Sequence, residues 1–448
     1  MESMTQLFKL ARTLREARWA MSLEPLAQDD PRRVDALAEL RGRKVVDRII
    51  KWLDTDPNSP RPYEQVCFAG KRGSGKTSDV KLLKARLERS GVYVVRRDAD
   101  VELPVVNLYY SDIILAVARA VLEDVGKDFG LNERVLEPIL TWFADTTQID
   151  LEEAKKAIAL ETSARAEAGI PFLARFLAIF KADVRFGKKE TVEQRLRLKR
   201  IPDELIRKVN QLLAVSRETI RQKDKKHLVV LLDNLDRLDP DIVEMHLVQK
   251  ADLHRRLACH IIFTVPLSLL LAPRRETVAD QFRAVEIHPM IPVRKRGMSW
   301  KSHDRHALSV LRQVFDRRMV VSEIFEDKAG CEEMIKASGG SLRDLVRIFE
   351  QSCIDATGRR LTLANVKAGI RDVRDELRRH IESRHYPVLA RIHLTKKHDN
   401  SKEAREILFW RWALQYDGEQ WFDVHPLVYD APEFRDALRK EKAKRPRS

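Results

Sequence analysis

The chain has 448 residues, which is too long for one ordinary hydrophobic core and predicts two or three domains. Hydrophobic residues make up 44% and charged residues 34%, and no apolar run reaches the roughly 20 residues that span a bilayer, so a globular protein without a membrane partner is expected. The net charge of +15 is concentrated in residues 181–226, with 15 Lys or Arg against seven Asp or Glu, and in residues 435–448, with seven against two, which indicates either a polyanionic partner or a solvated helix face followed by a frayed tail.

Residues 1–28 are predicted to form an amphipathic helix, with Leu7, Leu10, Ala11 and Leu14 on its apolar stripe. We interpret it either as an adaptor or oligomerisation helix or as an ordinary packing helix. The same stretch lacks the uninterrupted apolar core of a secretory signal. The four cysteines of the chain are far apart and form no CxxC pair, so neither disulfides nor structural zinc are expected. A cytoplasmic location is expected, because the cytoplasm keeps thiols reduced.

A glycine-rich loop at residues 70–77 fits the pattern G-x-x-x-x-G-K-[ST], between an apolar strand at 65–69 and an amphipathic helix. In this setting the backbone N–H groups surround phosphate oxygens, and the helix N-terminus adds partial positive charge. Lys76 is expected to reach the β- and γ-phosphates of ATP, and the Thr77 hydroxyl to hold Mg²⁺. The predicted nucleotide-binding residues are Gly70, Lys71, Arg72, Gly73, Ser74, Gly75, Lys76, Thr77 and Ser78.

A second strand is predicted from Tyr93, followed by a helix at 111–125 and then by about a hundred residues before the next strand. These residues are predicted to contain inserted helices at 133–144, 151–167, 171–183 and 203–222. The last begins with proline at its first position and turns the basic side chains Arg207, Lys208, Arg217 and Arg221 away from its apolar stripe. This basic side could contact a phosphate backbone or an acidic protein surface.

An acid follows the apolar run 228–232, at the predicted end of a central parallel strand. Asp233 is the predicted second Mg²⁺ ligand, directly or through water, whereas a strand followed by a plain acidic turn is the alternative. The next residue is Asn234, at a position where many P-loop ATPases have a glutamate that orients the attacking water. An amide cannot accept a proton, so either Asp236 takes that task or hydrolysis is slow.

The last 70 residues differ from the rest in their sequence pattern. Predicted helices near 370–383 and 387–394 precede an alternating segment around Asp417-Gly418, which predicts a β-hairpin with Trp410, Trp412 and Trp421 in core pairs. Helices followed by a hairpin resemble a winged-helix domain. Such domains bind duplex DNA or serve as protein-docking modules, so residues 202–222 and 378–448 are the candidate DNA contacts.

Two further features complete a recognisable order: a strand at 258–266 containing Thr264, and Gly339-Gly340-Ser-Leu-Arg343 opening a helix. Together with the glycine loop and Asp233, they resemble the AAA+ P-loop ATPase superfamily, in its origin-recognition-like branch and the related STAND-type bacterial switch ATPases. The resemblance covers about residues 30–370. It implies that Thr264 is a sensor of the γ-phosphate and that Arg343 is the lid arginine. It also implies an arginine finger supplied by a neighbouring subunit of a homo-oligomer, for which Arg274, Arg275 and Arg283 are candidates and Arg283 has the usual place.

The expected fold is therefore α/β: a P-loop NTPase parallel sheet flanked by helices, with a helical insertion, a helical lid and a C-terminal winged-helix-like domain. The predicted division is an N-terminal helix (1–28), the ATPase core (29–297, insertion about 131–226), the lid (298–377) and the winged-helix-like domain with its basic tail (378–448).

The expected function is a switch that binds and hydrolyses ATP and controls assembly with itself, DNA or a partner effector. The family suggests bacterial anti-phage defence or mobile-element control. No nuclease or protease motif is visible, so a defence role would need a separate effector protein. The alternatives are a DNA-binding initiator or loader ATPase and a scaffold that binds nucleotide without hydrolysing it, which Asn234 favours.

Overall fold

The computed structural model describes residues 9–42, 44–55, 59, 62–104, 107–161, 169–180, 188–270, 274–399, 401–416 and 421–444. For residues 157, 159–161, 188–191 and 274–277 it describes the backbone only. None of the helices in these ranges has both the length and the apolar character that a membrane span requires.

A five-stranded parallel sheet forms the centre of the molecule, in the order β2-β3-β4-β1-β5. Its strands are β1 (Gln65–Gly70), β2 (Tyr93–Asp98), β3 (Leu228–Asp233), β4 (His260–Pro266) and β5 (Ala284–His288). β1, β3 and β4 are buried along their whole length, because helices cover both faces of a parallel sheet. The predicted α/β fold with a parallel sheet is confirmed, and the carboxyl ends of its strands meet at one edge.

The N-terminal helix is much shorter than predicted. Within the described part of residues 1–28, only α1 (Leu14–Ala20) is helical, and Ala11 instead pairs in an extended bridge with Met319. The cause is local, because the Thr13 side chain accepts a hydrogen bond from the Glu16 N–H and the Glu16 carboxylate accepts one from the Thr13 N–H. This reciprocal cap starts the helix at residue 14. Leu7 lies outside the described residues, and Leu10 is exposed.

The helices around the sheet come from three parts of the chain. Those before and directly after the first strands are α2 (Ala36–Leu40), α3 (Val45–Leu53), α4 (Lys76–Arg89) and α5 (Ala99–Glu102). Helix α6 (Tyr110–Phe129) follows them and corresponds to the predicted helix at 111–125. Those of the insertion are α7 (Glu133–Thr147), α8 (Leu151–Glu161), α9 (Phe172–Ala178), α10 (Lys188–Lys199) and α11 (Pro202–Arg221). Those after β3 are α12 (Pro240–Val243), α13 (Ala251–His254) and α14 (Arg274–Gln281).

The insertion helices differ from the prediction at one helix. Helix α10 was not predicted, since its charge-rich sequence shows no apolar stripe. The later parts of the predicted helices 151–167 and 171–183 lie outside the described residues. On the basic side of α11, Arg221 pairs with Glu218 at 2.8 Å and Arg217 lies 4.9 Å from the Tyr63 ring centroid. Part of this positive charge is therefore engaged within the protein.

The lid region contains helices α15 (Arg305–Asp316), α16 (Val321–Ile324), α17 (Ala329–Ser338), α18 (Leu342–Ile354) and α19 (Leu363–Arg378). They enclose a second hydrophobic core that includes Leu311, Phe315 and Phe349. The turn between α17 and α18 contains Gly340, whose φ is +85° and whose added Cβ would collide with the Ile291 carbonyl oxygen. Only glycine fits this position, which fixes where α18 begins.

The C-terminal region contains α20 (His385–Thr395), α21 (Lys402–Phe409), β6 (Ala413–Tyr416), β7 (Trp421–Val424) and α22 (Pro432–Ala443). β6 and β7 pair antiparallel, and Tyr416 stacks on Trp421 at 4.5 Å. The Asp417-Gly418 turn lies outside the described residues. The prediction that Trp410 is a core residue is wrong, because Trp410 ends α21 on the surface and remains 45% exposed, whereas Trp412 is buried. The division of the chain into domains stays a prediction.

Candidate functional site

A cavity of about 240 Å³ lies between the glycine loop, the N-terminal segment and the start of lid helix α18. Its lining includes Lys71, Arg72, Gly73, Gly75, Lys76, Thr77, Ser78, Asn234, Asp236 and Arg343. The structure thus brings together three parts of the chain that the sequence analysis assigned to one site: the loop, the turn after β3 and the lid. Asp233 and Thr264 lie directly behind the cavity wall, fully buried.

The glycine loop joins the end of β1 at Gly70 to the start of α4 at Lys76. Gly73 has a φ of +90°, and a Cβ there would lie 2.7 Å from the Cβ of Arg343. The Arg343 N–H also points to the Gly73 carbonyl oxygen, at 3.4 Å. The loop backbone therefore lies directly against the lid helix, with the N-terminus of α4 facing the cavity. Such a backbone arrangement favours an anion.

Cationic side chains outnumber carboxylates at this end of the cavity. Lys76 Nζ lies 2.8 Å from Asp236 Oδ2, and Arg72 donates a hydrogen bond to the Asp236 carbonyl oxygen. Arg237 and Arg343 also line the cavity. Burial, together with the neighbouring guanidinium of Arg411, lowers the pKa of Arg343. Placing these cations together costs electrostatic energy that a phosphate chain would relieve.

The cavity lining also includes apolar side chains. They are Leu23, Pro25, Leu26, Val34, Leu37, Ala38, Val314, Leu342 and Val346. Arg41 lines the cavity as well: it is buried and donates from Nη2 to the Ser74 carbonyl oxygen at 2.5 Å. Burial lowers the pKa of Arg41. A ligand that combines a flat ring system with phosphates matches this mixed lining.

Asp233 is held entirely by protein donors. Its Oδ1 accepts hydrogen bonds from the Thr264 hydroxyl and from the Asn234 N–H, both at 2.9 Å, and its Oδ2 accepts one from Arg96 Nη2 at 2.9 Å. Asn234 adopts a left-handed conformation with φ +68° and donates its side-chain amide to Asp98. The two residues considered for orienting water are thus already engaged, Asn234 with Asp98 and Asp236 with Lys76.

The fit of this site to Mg²⁺ is incomplete. Thr77 lines the cavity as predicted, but Asp233 has protein donors on both carboxylate oxygens. Across the described ranges, no group of three or more His, Cys, Asp or Glu side chains is arranged to hold a metal ion. Magnesium at Asp233 would have to replace the contact with Arg96.

A hydrogen-bonded chain beneath the glycine loop was missed by the sequence analysis. His288, at the end of β5, lies 2.9 Å from the Ser74 hydroxyl through Nδ1 and 2.9 Å from Asp79 Oδ2 through Nε2. Arg33 donates to the other oxygen of Asp79 at 2.7 Å. Burial and the charge of Arg41 lower the pKa of His288 to about 4, so its ring is neutral at pH 7. Ser74 is fully buried, which makes this arrangement a support for the loop and not a nucleophile open to substrate.

We predict that His288→Ala weakens nucleotide binding by about tenfold, because each lost buried hydrogen bond costs roughly 1 kcal/mol and the loop is held less well in its bound shape. The measurement is equilibrium binding of a fluorescent ATP analogue. His385→Ala is the matched control, since His385 is equally buried but bonds Glu406 in the C-terminal region. Equal affinities of the two variants would contradict the role assigned to His288.

Arg283 does not reach this cavity. It directly precedes β5, at the end of the sheet opposite the glycine loop, and its side chain is 67% exposed while pairing with Glu64 at 2.7 Å. Arg274 and Arg275 begin helix α14, and their side chains lie outside the described part of the chain. An exposed position away from the chain's own cavity is what an arginine acting on a neighbouring subunit requires.

One family model and several solved structures are similar to this chain. Residues 44–249 match the model of the KAP family P-loop domain, which confirms the prediction of a P-loop NTPase domain. No curated protein matches the chain. Similar solved structures include the ORC2 protein of Aeropyrum pernix in ADPNP–ADP complexes, with 12% identity and a TM-score of 0.40 over 95% of this chain and 99% of that one. They also include Cdc6p from Pyrobaculum aerophilum, with 14% identity and a TM-score of 0.38 over 94% and 98% of the two chains.

Proposed function

We propose, from the premise that this chain contains a P-loop NTPase domain, that it binds ATP in the cavity between the glycine loop and the lid and acts as a nucleotide-dependent switch. The observation that carries the proposal is the convergence of Lys76, Asp236 and Arg343 from three elements on one cavity. A P-loop NTPase domain implies a nucleotide ligand and usually Mg²⁺. In the proposed complex Lys76 and Arg343 contact the phosphates, and apolar side chains of the lining hold the base.

The C-terminal region contacts the same loop, which supports a switch. Lys71 is buried and donates from Nζ to the Ala413 carbonyl oxygen on β6, and burial lowers its pKa well below the usual lysine range. Arg72 lies 5.5 Å from the Phe409 ring centroid. The Tyr416 hydroxyl donates to the Gly339 carbonyl oxygen in the lid turn at 2.7 Å. Phosphates that move the loop or the lid therefore act on the C-terminal region as well.

Slow hydrolysis is part of the proposal. Asn234 lacks a carboxylate that could accept a proton from water, and Asp236 is paired with Lys76. A slow ATPase stays long in its triphosphate-bound state, which suits a switch that controls assembly with itself or with an effector. Duplex DNA bound through residues 202–222 and 378–448, and a role in anti-phage defence or mobile-element control, stay predictions from the sequence.

The proposal predicts that Arg283 acts between chains. Turnover per chain is expected to rise with protein concentration, and Arg283→Ala is expected to lower it by at least about tenfold, with nucleotide affinity unchanged, because an arginine supplied in trans stabilises the transition state and not the bound ATP. The measurements are phosphate release and solution mass with a slowly hydrolysed ATP analogue. Arg255→Ala, an exposed change at the same end of the sheet, is the control. Turnover independent of concentration and of Arg283 would contradict assembly-dependent hydrolysis.

A further inference from the structure

Two carboxylates stand side by side at the carboxyl edge of the sheet. Asp98 and Asp233 are register partners on the parallel strands β2 and β3, so their side chains leave the same face. Asp233 is fully buried, whereas the Asp98 side chain is 39% exposed. Adjacent carboxylates repel each other unless a cation lies between them.

Arg96 supplies that cation from within the chain. It precedes Asp98 by two positions on β2 and therefore lies on the same face of the strand. Its Nη2 lies 2.8 Å from Asp98 Oδ1 and 2.9 Å from Asp233 Oδ2. The neighbouring Arg97 points to the other face and pairs with Asp124 at 2.6 Å and Glu123 at 3.1 Å.

The contact fills the oxygen of Asp233 that would otherwise be open to a metal ion. The second oxygen already accepts hydrogen bonds from Thr264 and Asn234. A guanidinium carries a permanent charge and is more weakly hydrated than a magnesium ion, so it occupies a buried carboxylate at a lower dehydration cost. Any divalent cation that reaches Asp233 must first exchange with Arg96.

We propose that Arg96 is a positioning residue that competes with Mg²⁺ for Asp233 and thereby makes nucleotide binding by this chain only weakly dependent on magnesium. The proposal rests on the proposed nucleotide binding in the adjacent cavity. When a metal ion replaces Arg96 at Asp233, the Arg96 guanidinium still keeps its contact with Asp98. The side chain of Arg96 is 22% exposed, so the guanidinium has solvent on one side into which it can turn.

The test measures how magnesium changes nucleotide affinity in three proteins. A fluorescent ATP analogue is titrated into wild type, Arg96→Met and Arg97→Met, each in 5 mM Mg²⁺ and in EDTA, conditions we choose to bracket full and zero metal loading. We expect Mg²⁺ to strengthen binding less than about threefold in wild type and in Arg97→Met, and at least about tenfold in Arg96→Met, a difference readable as a ratio of Kd values. Arg96→Lys keeps a cation and is expected to restore most of the wild-type behaviour.

A direct metal readout needs no nucleotide. Mn²⁺ binding to nucleotide-free wild type, followed by electron paramagnetic resonance, is expected to be undetectable at concentrations where Arg96→Met binds the ion. The proposal is overturned if Mg²⁺ strengthens binding of the ATP analogue to wild type by tenfold or more. It is also overturned if the ratio of the Kd values in EDTA and in Mg²⁺ is the same for Arg96→Met as for wild type. Wild type that binds no nucleotide under either condition would overturn the proposed function as well, so the two failures are distinct. Melting curves identify a variant that does not fold, in which case Arg96→Lys and the wild-type metal titration decide.

Discussion

Lys76→Ala is expected to lower the affinity for ATP by about ten- to a hundredfold. The lysine ammonium donates charge-assisted hydrogen bonds to the phosphates, each contributing roughly 1.5–3 kcal/mol. About 1.4 kcal/mol corresponds to a tenfold change in Kd. Lys76 Nζ lies 2.8 Å from the carboxylate of Asp236, and both residues line the cavity. Without it, Asp236 faces the incoming phosphates uncompensated, which adds repulsion to the lost attraction.

The control for this prediction is on the same helix. Lys84→Ala removes a lysine that pairs with Glu88 and lies partly exposed, two turns further along α4. Isothermal titration calorimetry of ATP binding to both variants distinguishes the loss of a phosphate contact from a general disturbance of α4. The double variant Lys76→Ala with Asp236→Asn removes the unpaired carboxylate and is expected to regain part of the affinity. Wild-type affinity in Lys76→Ala protein would remove the nucleotide site from the cavity.

Acidification from pH 7.5 to 5.5 is expected to destabilise the fold by several kcal/mol. Burial lowers the pKa of four histidines, His254, His260, His288 and His398, to about 4. An unfolded histidine titrates near pH 6.5. Because the unfolded chain then binds more protons than the folded one, stability is complete above about pH 6.5 and falls as the pH drops towards 4. Each histidine contributes roughly 1 kcal/mol of loss by pH 5.5.

The carboxylates act in a lower pH window. The pKa of Asp344 is lowered: burial opposes the shift, but the guanidinium of Arg411 at 3.2 Å and the ring of His425 at 3.3 Å overcome it. Its contribution to stability is present above about pH 4 and is lost only below that value. The decline between pH 7.5 and 5.5 therefore reports on the histidines. For a chain of this length, a loss of several kcal/mol lowers Tm by roughly 5 °C if unfolding is cooperative.

The measurement is Tm by scanning calorimetry as a function of pH. His398→Gln, at a half-buried ring that lies 2.8 Å from the Ala404 carbonyl oxygen, is expected to make the pH dependence shallower. His306→Gln, at an exposed position in the first turn of α15, is expected to leave it unchanged. A Tm that stays constant from pH 7.5 to 5.5 would show that these rings are not kept neutral by burial.

Sequence patterns predicted the parts of the site that depend on local structure. The strand, glycine loop and helix at residues 65–89 are adjacent in the chain, so a phosphate site at Lys76 and Thr77 could be predicted from this segment alone. Asp233 and Arg343 followed from the order of further elements. The structure places Lys76, Thr77 and Arg343 on one cavity and Asp233 behind its wall.

The contacts that the sequence could not predict depend on strand register and long-range packing. Arg96 meets Asp233 because β2 and β3 pair with Asp98 opposite Asp233, and no local pattern encodes that register. His288 reaches Ser74 only because β5 lies beside β1. Similarly, the burial of Lys71 comes from Ala413, far along the chain. The N-terminal helix was overpredicted because an apolar stripe at helical spacing does not show where a cap at Thr13 will start the helix.

The most direct measurement is an experimental structure of the chain bound to a slowly hydrolysed ATP analogue. We predict triphosphate density against the backbone of residues 70–77, with Lys76 turned from Asp236 to the phosphates and Arg343 within hydrogen-bonding distance of them. A nucleotide found elsewhere, or a complex in which Lys76 keeps its contact with Asp236 and the cavity stays empty, would contradict this assignment of the site.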